Sequence, residues 1–464
     1  MVNENYDAIV VGGGPGGSAC AALLAKQGMK ILLLEKNDRP GGKALTMTKE
    51  GFGYELWPVA GGPRQNTKFE AVLNELGMEL EILPPIPPGG GGGGTPRPTE
   101  PSFTPEETEE INRFNNDVAT MTPQEIDTLD DVTWHDFISR YKIPQSMYTS
   151  LASLANLIFA VPVDLLAASE AIKVRQDFAR GGAGCYFKGG YGKLFETFTE
   201  AVKRYGGEVR LRTRVERIDV EDGQVRGVVT EHGTFQAPIV VSNAGIQPTV
   251  LKLVGTEHFD KSYVNYVKDL VPSLAAMGIR YFLSKPVLQR ALLTYSTDEN
   301  YWNVGLTLKA KAGELPDELW VFITVPSLYD PSLAPEGKQC ALAISLCPPD
   351  AAMKDAQMYW DRLDKTVAKV WPEIAQYTEK KEYHSPADVS AVSRDHVLPG
   401  QGGECIGLAQ IVGQCGRHKP SARAPLRGLF YVGCDAGGYG CGTHQAVDSA
   451  VNVSRMVLQY HQTH

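Results

Sequence analysis

What the chain lacks excludes several classes of protein. Its eight cysteines contain no Cys-x-x-Cys pair and form no zinc-like grouping with the nine histidines, so a metal site is not expected. The N-terminal "MVNENYDAIVV" passes almost directly into an apolar strand, with no basic leader or cleavage site. That points to a cytoplasmic, reducing setting in which the cysteines are free thiols. Excess positive charge is also missing. Lys and Arg total 45 against 54 Asp and Glu, a net charge of −9, which makes nucleic acid a poor partner. Long apolar runs are few. The longest, "LASLANLIFAVPVDLLAA" from Leu151, is interrupted by Pro162 and Asp164 and is short for a bilayer span. It reads either as a buried helix pair or as a surface facing lipid or substrate.

What remains is an ordinary globular composition, 43% hydrophobic and 21% charged, in a chain of 464 residues that is long enough for two domains. Residues 7 to 46 read as strand, glycine turn, helix, strand, a βαβ unit. "KFEAVLNELGMELEIL" has helical periodicity. The segment 84–104 that follows is too rich in proline and glycine for regular structure, and its six glycines, Gly89 to Gly94, read as a native loop or an engineered linker. From Pro105 to about Lys173 the pattern is helical, with threonines and aspartates placed as caps. Strand alternation resumes at "EVRLRTRVERIDVEDGQVRGVVTEHGTFQAPIVVSNAG", with hairpin signals at Asp222-Gly223 and His232-Gly233. Further strands, "AAMGIRYFL", "LWVFITV" and "CALAISL", and a helix in "MKDAQMYWDRLDKTVAKVW" precede a last glycine-rich strand-turn-helix.

Gly12-x-Gly14-x-x-Gly17, with Pro15 inside it, stands between a strand and a helix, the context that a dinucleotide fingerprint requires. The glycines allow a tight turn, close approach to a pyrophosphate and close helix packing, and the helix N-terminus favours phosphate. Glu35, followed by Lys36, closes the second strand 18 residues after Gly17, where a carboxylate can accept from a ribose diol. This much does not separate NAD from FAD. The separation comes from "NDRPGGKALT", where Gly41, Gly42 and Lys43 resemble the extended FAD fingerprint of the glutathione-reductase-like flavoproteins. A second turn, "LFYVGCDAGGYGCGTHQAVDSA", supplies Gly433 and Asp435 at a strand end, then Gly442 and Thr443 at a helix start. Such a helix N-terminus stabilises negative charge on a flavin ring that accepts hydride. One long FAD held from both ends explains why the chain has two such turns.

With "GGYGKLFETFTEAVKRYGGEVRLRTRVERI", "VVSNAG", "VPSLYDPSLAPEGKQC" and the final turn, the chain resembles the phytoene desaturase, carotenoid isomerase and retinol saturase superfamily over nearly its whole length. The resemblance implies an α/β fold: a glutathione-reductase-like, Rossmann-type FAD-binding domain (1–65, 185–255 and 397–464) interleaved with an α+β substrate domain (66–184 and 256–396). It implies that Asp435 binds a ribityl hydroxyl, that Val215 meets adenine, that Asn243 and Ala244 lie near the cofactor, and that Leu151 to Ala171 lines a tunnel. The expected reaction is desaturation, saturation or isomerisation of an apolar polyene or isoprenoid at flavin N5, with the electron acceptor or donor left open. Peripheral membrane contact would follow from such a substrate. Proton-transfer candidates are Tyr439 and His444 first, then Cys441, Tyr186, Lys188 and Tyr191. The sequence departs from many relatives at Glu55, Trp57, Cys434, Cys441 and His444, which leaves the substrate undefined. The rival readings are a flavin amine oxidase and a non-catalytic flavin-binding protein. Cys405 precedes Asp435 by 30 residues, a placement reminiscent of a covalent flavin cysteine, but Glu404 and Ile406 fit that pattern poorly. Noncovalent FAD is the expectation.

Overall fold

The computed structural model describes residues 5–57, 67–83, 103–181 and 186–464; the six glycines and Cys185 lie outside the described residues. Its first sheet is wholly parallel, in the order Leu429–Tyr431, Val240–Ser242, Ala8–Val11, Ile31–Leu34, Glu208–Arg210. Ala8–Val11 and Ile31–Leu34 contain only aliphatic residues and are buried throughout, as strands covered on both faces should be. Helix Pro15–Lys26 has proline in its first turn and small residues along its length. It packs between helices Gly192–Arg204 and Gly442–Thr463.

A three-stranded meander, Val215–Glu221, Gln224–Thr230 and Gly233–Gln236, adjoins this sheet. Its first turn uses the expected Asp222-Gly223 pair, both left-handed, with φ of 51° and 69°. The second hairpin turns one residue earlier than the His232-Gly233 signal predicts. Gly233 already pairs with Thr230, because its φ of 123° suits the bend into the strand.

The expected later strands build an antiparallel sheet, ordered Leu292–Tyr295, Val321–Thr324, Gln339–Cys347, Ala275–Leu283, Thr378–His384. Side chains alternate between its faces. One face packs Met277, Ile279, Ile323 and Ala343 on helix Ala356–Val370. The other carries Phe322, Ile344 and Leu346 into a cluster with Trp57, Trp302 and Trp320.

Helices Pro105–Thr120, Gln145–Phe159 and Ala168–Gly181 share a further core, and Thr104 and Thr122 close capping boxes as the threonine pattern predicts. Ala160 ends the middle helix in the left-handed region at φ 49°, and Asn156 Nδ2 secures the exit by donating to the Val161 and Trp302 carbonyls at 2.9 and 3.0 Å. Among the described residues no helix is long and apolar enough to cross a membrane.

Candidate functional site

The two glycine turns meet at the ends of adjacent-but-one parallel strands and open into one cavity of roughly 930 Å³. Close packing dictates the glycines. A Cβ on Gly17 would sit 2.0 Å from the Gly12 carbonyl oxygen, and one on Gly16 would sit 2.9 Å from Gly433 Cα. The first turn is therefore pressed against the second. Asn243 joins them, its amide accepting from Gly14 N at 3.3 Å and donating to the Val432 carbonyl at 3.1 Å. Gly41 N donates to Gly13 O at 2.9 Å, which brings the second glycine pair beside the first. Gly12, Gly14, Pro15, Gly42, Lys43, Asn243, Ala244, Gly433, Gly442 and Thr443 line the cavity. Gly17 and Gly41 stand behind it as packing positions, Gly41 against Leu45 and Phe195.

Glu35 is buried on the cavity wall, accepting from Gly13 N at 2.7 Å and Asn37 N at 2.8 Å. The carboxylate thus fixes the turn from the cavity wall. Glu35→Ala is expected to weaken FAD binding by about 1–3 kcal/mol, measured by titrating apoprotein with FAD. Unchanged affinity would remove Glu35 from the cofactor site.

Val215 and Lys36 line this end of the cavity, and a strap that the sequence did not reveal lies against it. Asn37 Nδ2 donates to the Val392 carbonyl at 2.8 Å, and Asp395 pairs with Lys36, Arg214 and Lys252 at 3.4, 3.1 and 2.6 Å. Val392, Ser393, Arg394 and Asp395 all line the cavity.

Deeper in, Arg394 Nε meets Glu404 at 2.6 Å and its Nη1 meets Asp435 at 2.7 Å, while Lys43 reaches Glu404 at 2.7 Å. Asp435 also accepts from Ile246 N at 2.9 Å and Leu408 N at 3.1 Å. The aspartate assigned to a ribityl hydroxyl is thus on the cavity wall and held from three sides.

Beyond the second turn the walls become apolar: Trp57, Leu157, Leu292, Trp320, Phe322, Ile344 and Leu346. Of the run expected to line a tunnel, Leu154 and Asn156 to Ala160 reach the cavity except for Phe159, whereas Leu151 and the stretch past Ala160 do not. The run is core on one side and cavity wall on the other.

The proton-transfer candidates separate sharply. His444 lines the cavity, packs on Phe69 with ring centroids 4.1 Å apart and planes tilted by 36°, and has a buried Nε2 with no partner among the described residues. Burial pulls its pKa down to about 4. Tyr439, in contrast, is 50% exposed and its ring lies beside the Lys173 and Lys419 ammonium groups, outside the cavity wall. This corrects the expectation for Tyr439. The positive-φ glycines Gly437 and Gly440 reverse the chain, and Asp448 fixes Tyr439 N at 2.9 Å, so the ring turns outward. Tyr186 is bonded to buried Glu55, Lys188 pairs with Glu81 at the surface, and Tyr191 packs edge-on against Phe187, none of them on the cavity. Cys405, Cys434 and Cys441 do line it, and burial raises their thiols to about 11, 11 and 12. They are protonated at neutral pH.

The sequence pattern of the flavin containing amine oxidoreductases matches residues 16–458. The chain is 26% identical over 394 residues to the phytoene desaturase of Fusarium fujikuroi, a match that covers 74% of this chain and 66% of that protein, just under two thirds of its length. It is 23% identical over 501 aligned positions to the lycopene-forming phytoene desaturase of Pseudescherichia vulneris, covering 97% of this chain and 99% of the relative. The crystal structure of an oxidoreductase from Methanosarcina mazei superposes with a TM-score of 0.72 over 97% of this chain and 100% of that one, at 16% identity.

Proposed function

The chain belongs to the flavin containing amine oxidoreductase family and is an FAD-dependent oxidoreductase, and from that premise we propose that it acts on C–C or C=C bonds of a long apolar substrate, polyene or isoprenoid in kind. The observation that carries this reading is the continuity of the cavity, from the two glycine turns to a compartment walled by aromatic and aliphatic side chains. FAD supplies hydride transfer at N5 of its ring. The chain supplies the rest. Gly12, Gly14 and the start of helix Pro15–Lys26 receive the phosphates, and Glu35 and Val215 receive the adenosine. The N-terminus of helix Gly442–Thr463 would stabilise negative charge on the ring, and Trp57, Trp320 and Phe322 would exclude water from the reacting bond. His444, on the cavity wall and neutral at pH 7, is the proton acceptor of this reading.

A substrate of this kind is met in a membrane or on a carrier rather than in water. Leu154, which lines the cavity and is 39% exposed, marks where it would enter. Organic-solvent extraction of the purified protein, with mass identification of what co-purifies, tests the reading directly, alongside anaerobic bleaching of the flavin by candidate polyenes. Amine oxidation is the rival, yet no carboxylate of the described residues walls the apolar compartment to draw in an ammonium group. Turnover of a small hydrophilic amine with peroxide release, and of no polyene, would establish that rival.

FAD is expected to leave the protein on denaturation. Cys405 donates no thiolate for attachment: burial raises its thiol to about 11, and it accepts from Trp57 Nε1 at 3.4 Å. After heating and precipitation the yellow colour should stay in the supernatant. Colour retained in the pellet would show a covalent link.

A further inference from the structure

Among the described residues, one cation on the cavity wall has no counter-charge. Lys36, Arg214 and Lys252 share Asp395, Lys43 and Arg394 share Glu404, and Arg394 also pairs with Asp435. Arg175, on helix Ala168–Gly181, pairs with no carboxylate of the described residues. Its guanidinium lies over the Phe114 ring at 5.5 Å, and Nη2 reaches only the neutral Asn115 Oδ1, at 3.4 Å. Its Nε is buried with no partner among the described residues. Burial alone pulls its pKa below the ordinary arginine value, with no acidic neighbour to offset it. A cation partly withdrawn from water in this way gains when something anionic meets it. Arg175 faces the same cavity as Leu154, Ile158 and Phe178, so whatever meets it carries an apolar body.

Resting on the apolar-substrate reading, we propose that Arg175 receives the anionic end, a carboxylate, of the apolar molecule that this cavity holds. The chemistry favours a carboxylate over a phosphate. A lone guanidinium matches a planar monoanion through two parallel N–H···O bonds, whereas a doubly charged phosphate calls for a second cation. The substrate is then an amphiphile, an apolar chain with one acidic terminus that fixes how far the chain advances toward the flavin.

Calorimetric titration of the FAD-loaded protein at neutral pH tests this with a conjugated C18 tetraenoic acid, its methyl ester and an alkyl phosphate of matching length. The acid is expected to bind about 10- to 100-fold tighter than the ester. Arg175→Met should bring that ratio close to one, and Arg175→Lys should retain part of it, with bound flavin confirming the fold of each variant. Equal binding of acid and ester by the unaltered protein overturns the proposal while sustaining the apolar reading. Tighter binding of the phosphate overturns the carboxylate assignment. Binding of none of the three overturns both readings.

Discussion

Replacing Arg394 with methionine is expected to destabilise the protein by about 3–5 kcal/mol and to strip it of FAD. The reason is what the substitution leaves behind. Glu404 is 3% exposed and Asp435 is 5% exposed, so each would remain as a buried carboxylate short of its main counter-charge. Burial by itself would raise the Glu404 carboxyl, but Arg394 and Lys43 override it and hold the pKa at about 2, against an ordinary 4.5. A carboxyl depressed in this way contributes stability that is complete above its unfolded value and fades as the pH falls from about 4.5 toward 2. The loss in Arg394→Met should therefore be fully visible at neutral pH. Asp435 holds Ile246 N and Leu408 N as well as Arg394, so its release also slackens the chain on both sides of the second glycine turn. Urea denaturation and the flavin-to-protein absorbance ratio measure the two effects. Because Arg394 and Asp435 touch, combining Arg394→Met with Asp435→Asn should cost less than the sum of the two. A single variant within about 0.5 kcal/mol of wild type, with full flavin, would refute the network's role.

That network was invisible in the sequence, while the glycines beside it were plain. Gly12, Gly14 and Gly17 obey constraints set within one strand, one turn and one helix, so their spacing carries their meaning. The same holds for Gly433 to Thr443. Arg394 has no such local signature. "SRDHV" becomes an ion-pair centre only when the chain lays it across the end of the parallel sheet, where it meets Glu404 and Asp435. Arg175 is hidden for the same reason, since on its own helix it looks like one more solvated charge. Tyr439 shows the converse error. It stands in the right turn, but residues in a loop with two positive-φ glycines do not follow a helical or strand period, and its direction was set by Asp448, Lys173 and Lys419. The apolar run from Leu151 was legible as half core and half wall only once the left-handed stop at Ala160 ended its helix.

His444→Ala is expected to hold FAD near wild-type occupancy yet slow flavin reduction by substrate about 10²- to 10⁴-fold, the range for a lost proton-transfer group. His444 sits in the first turn of helix Gly442–Thr463 and lines the cavity, with its ring braced on Phe69 and its Nε2 buried with no partner among the described residues. Burial pulls its pKa from 6.5 to about 4, so the imidazole is neutral across the physiological range and can accept a proton. The sign follows for both stability and rate. Folding disfavours the charged ring, so stability is level above about pH 6.5 and falls by up to about 3 kcal/mol as the pH drops toward 4, and His444→Ala should flatten that part of the acid transition. The reduction rate should be level from about pH 6 upward and decline in acid as the ring protonates. Tyr439→Phe, on the outer side of the same turn, should change neither rate nor occupancy. Stopped-flow absorbance at the flavin band, normalised to bound FAD, separates these outcomes. If His444→Ala is reduced at the wild-type rate with its flavin in place, the proton passes to water or within the substrate, and the unpaired Nε2 serves packing alone.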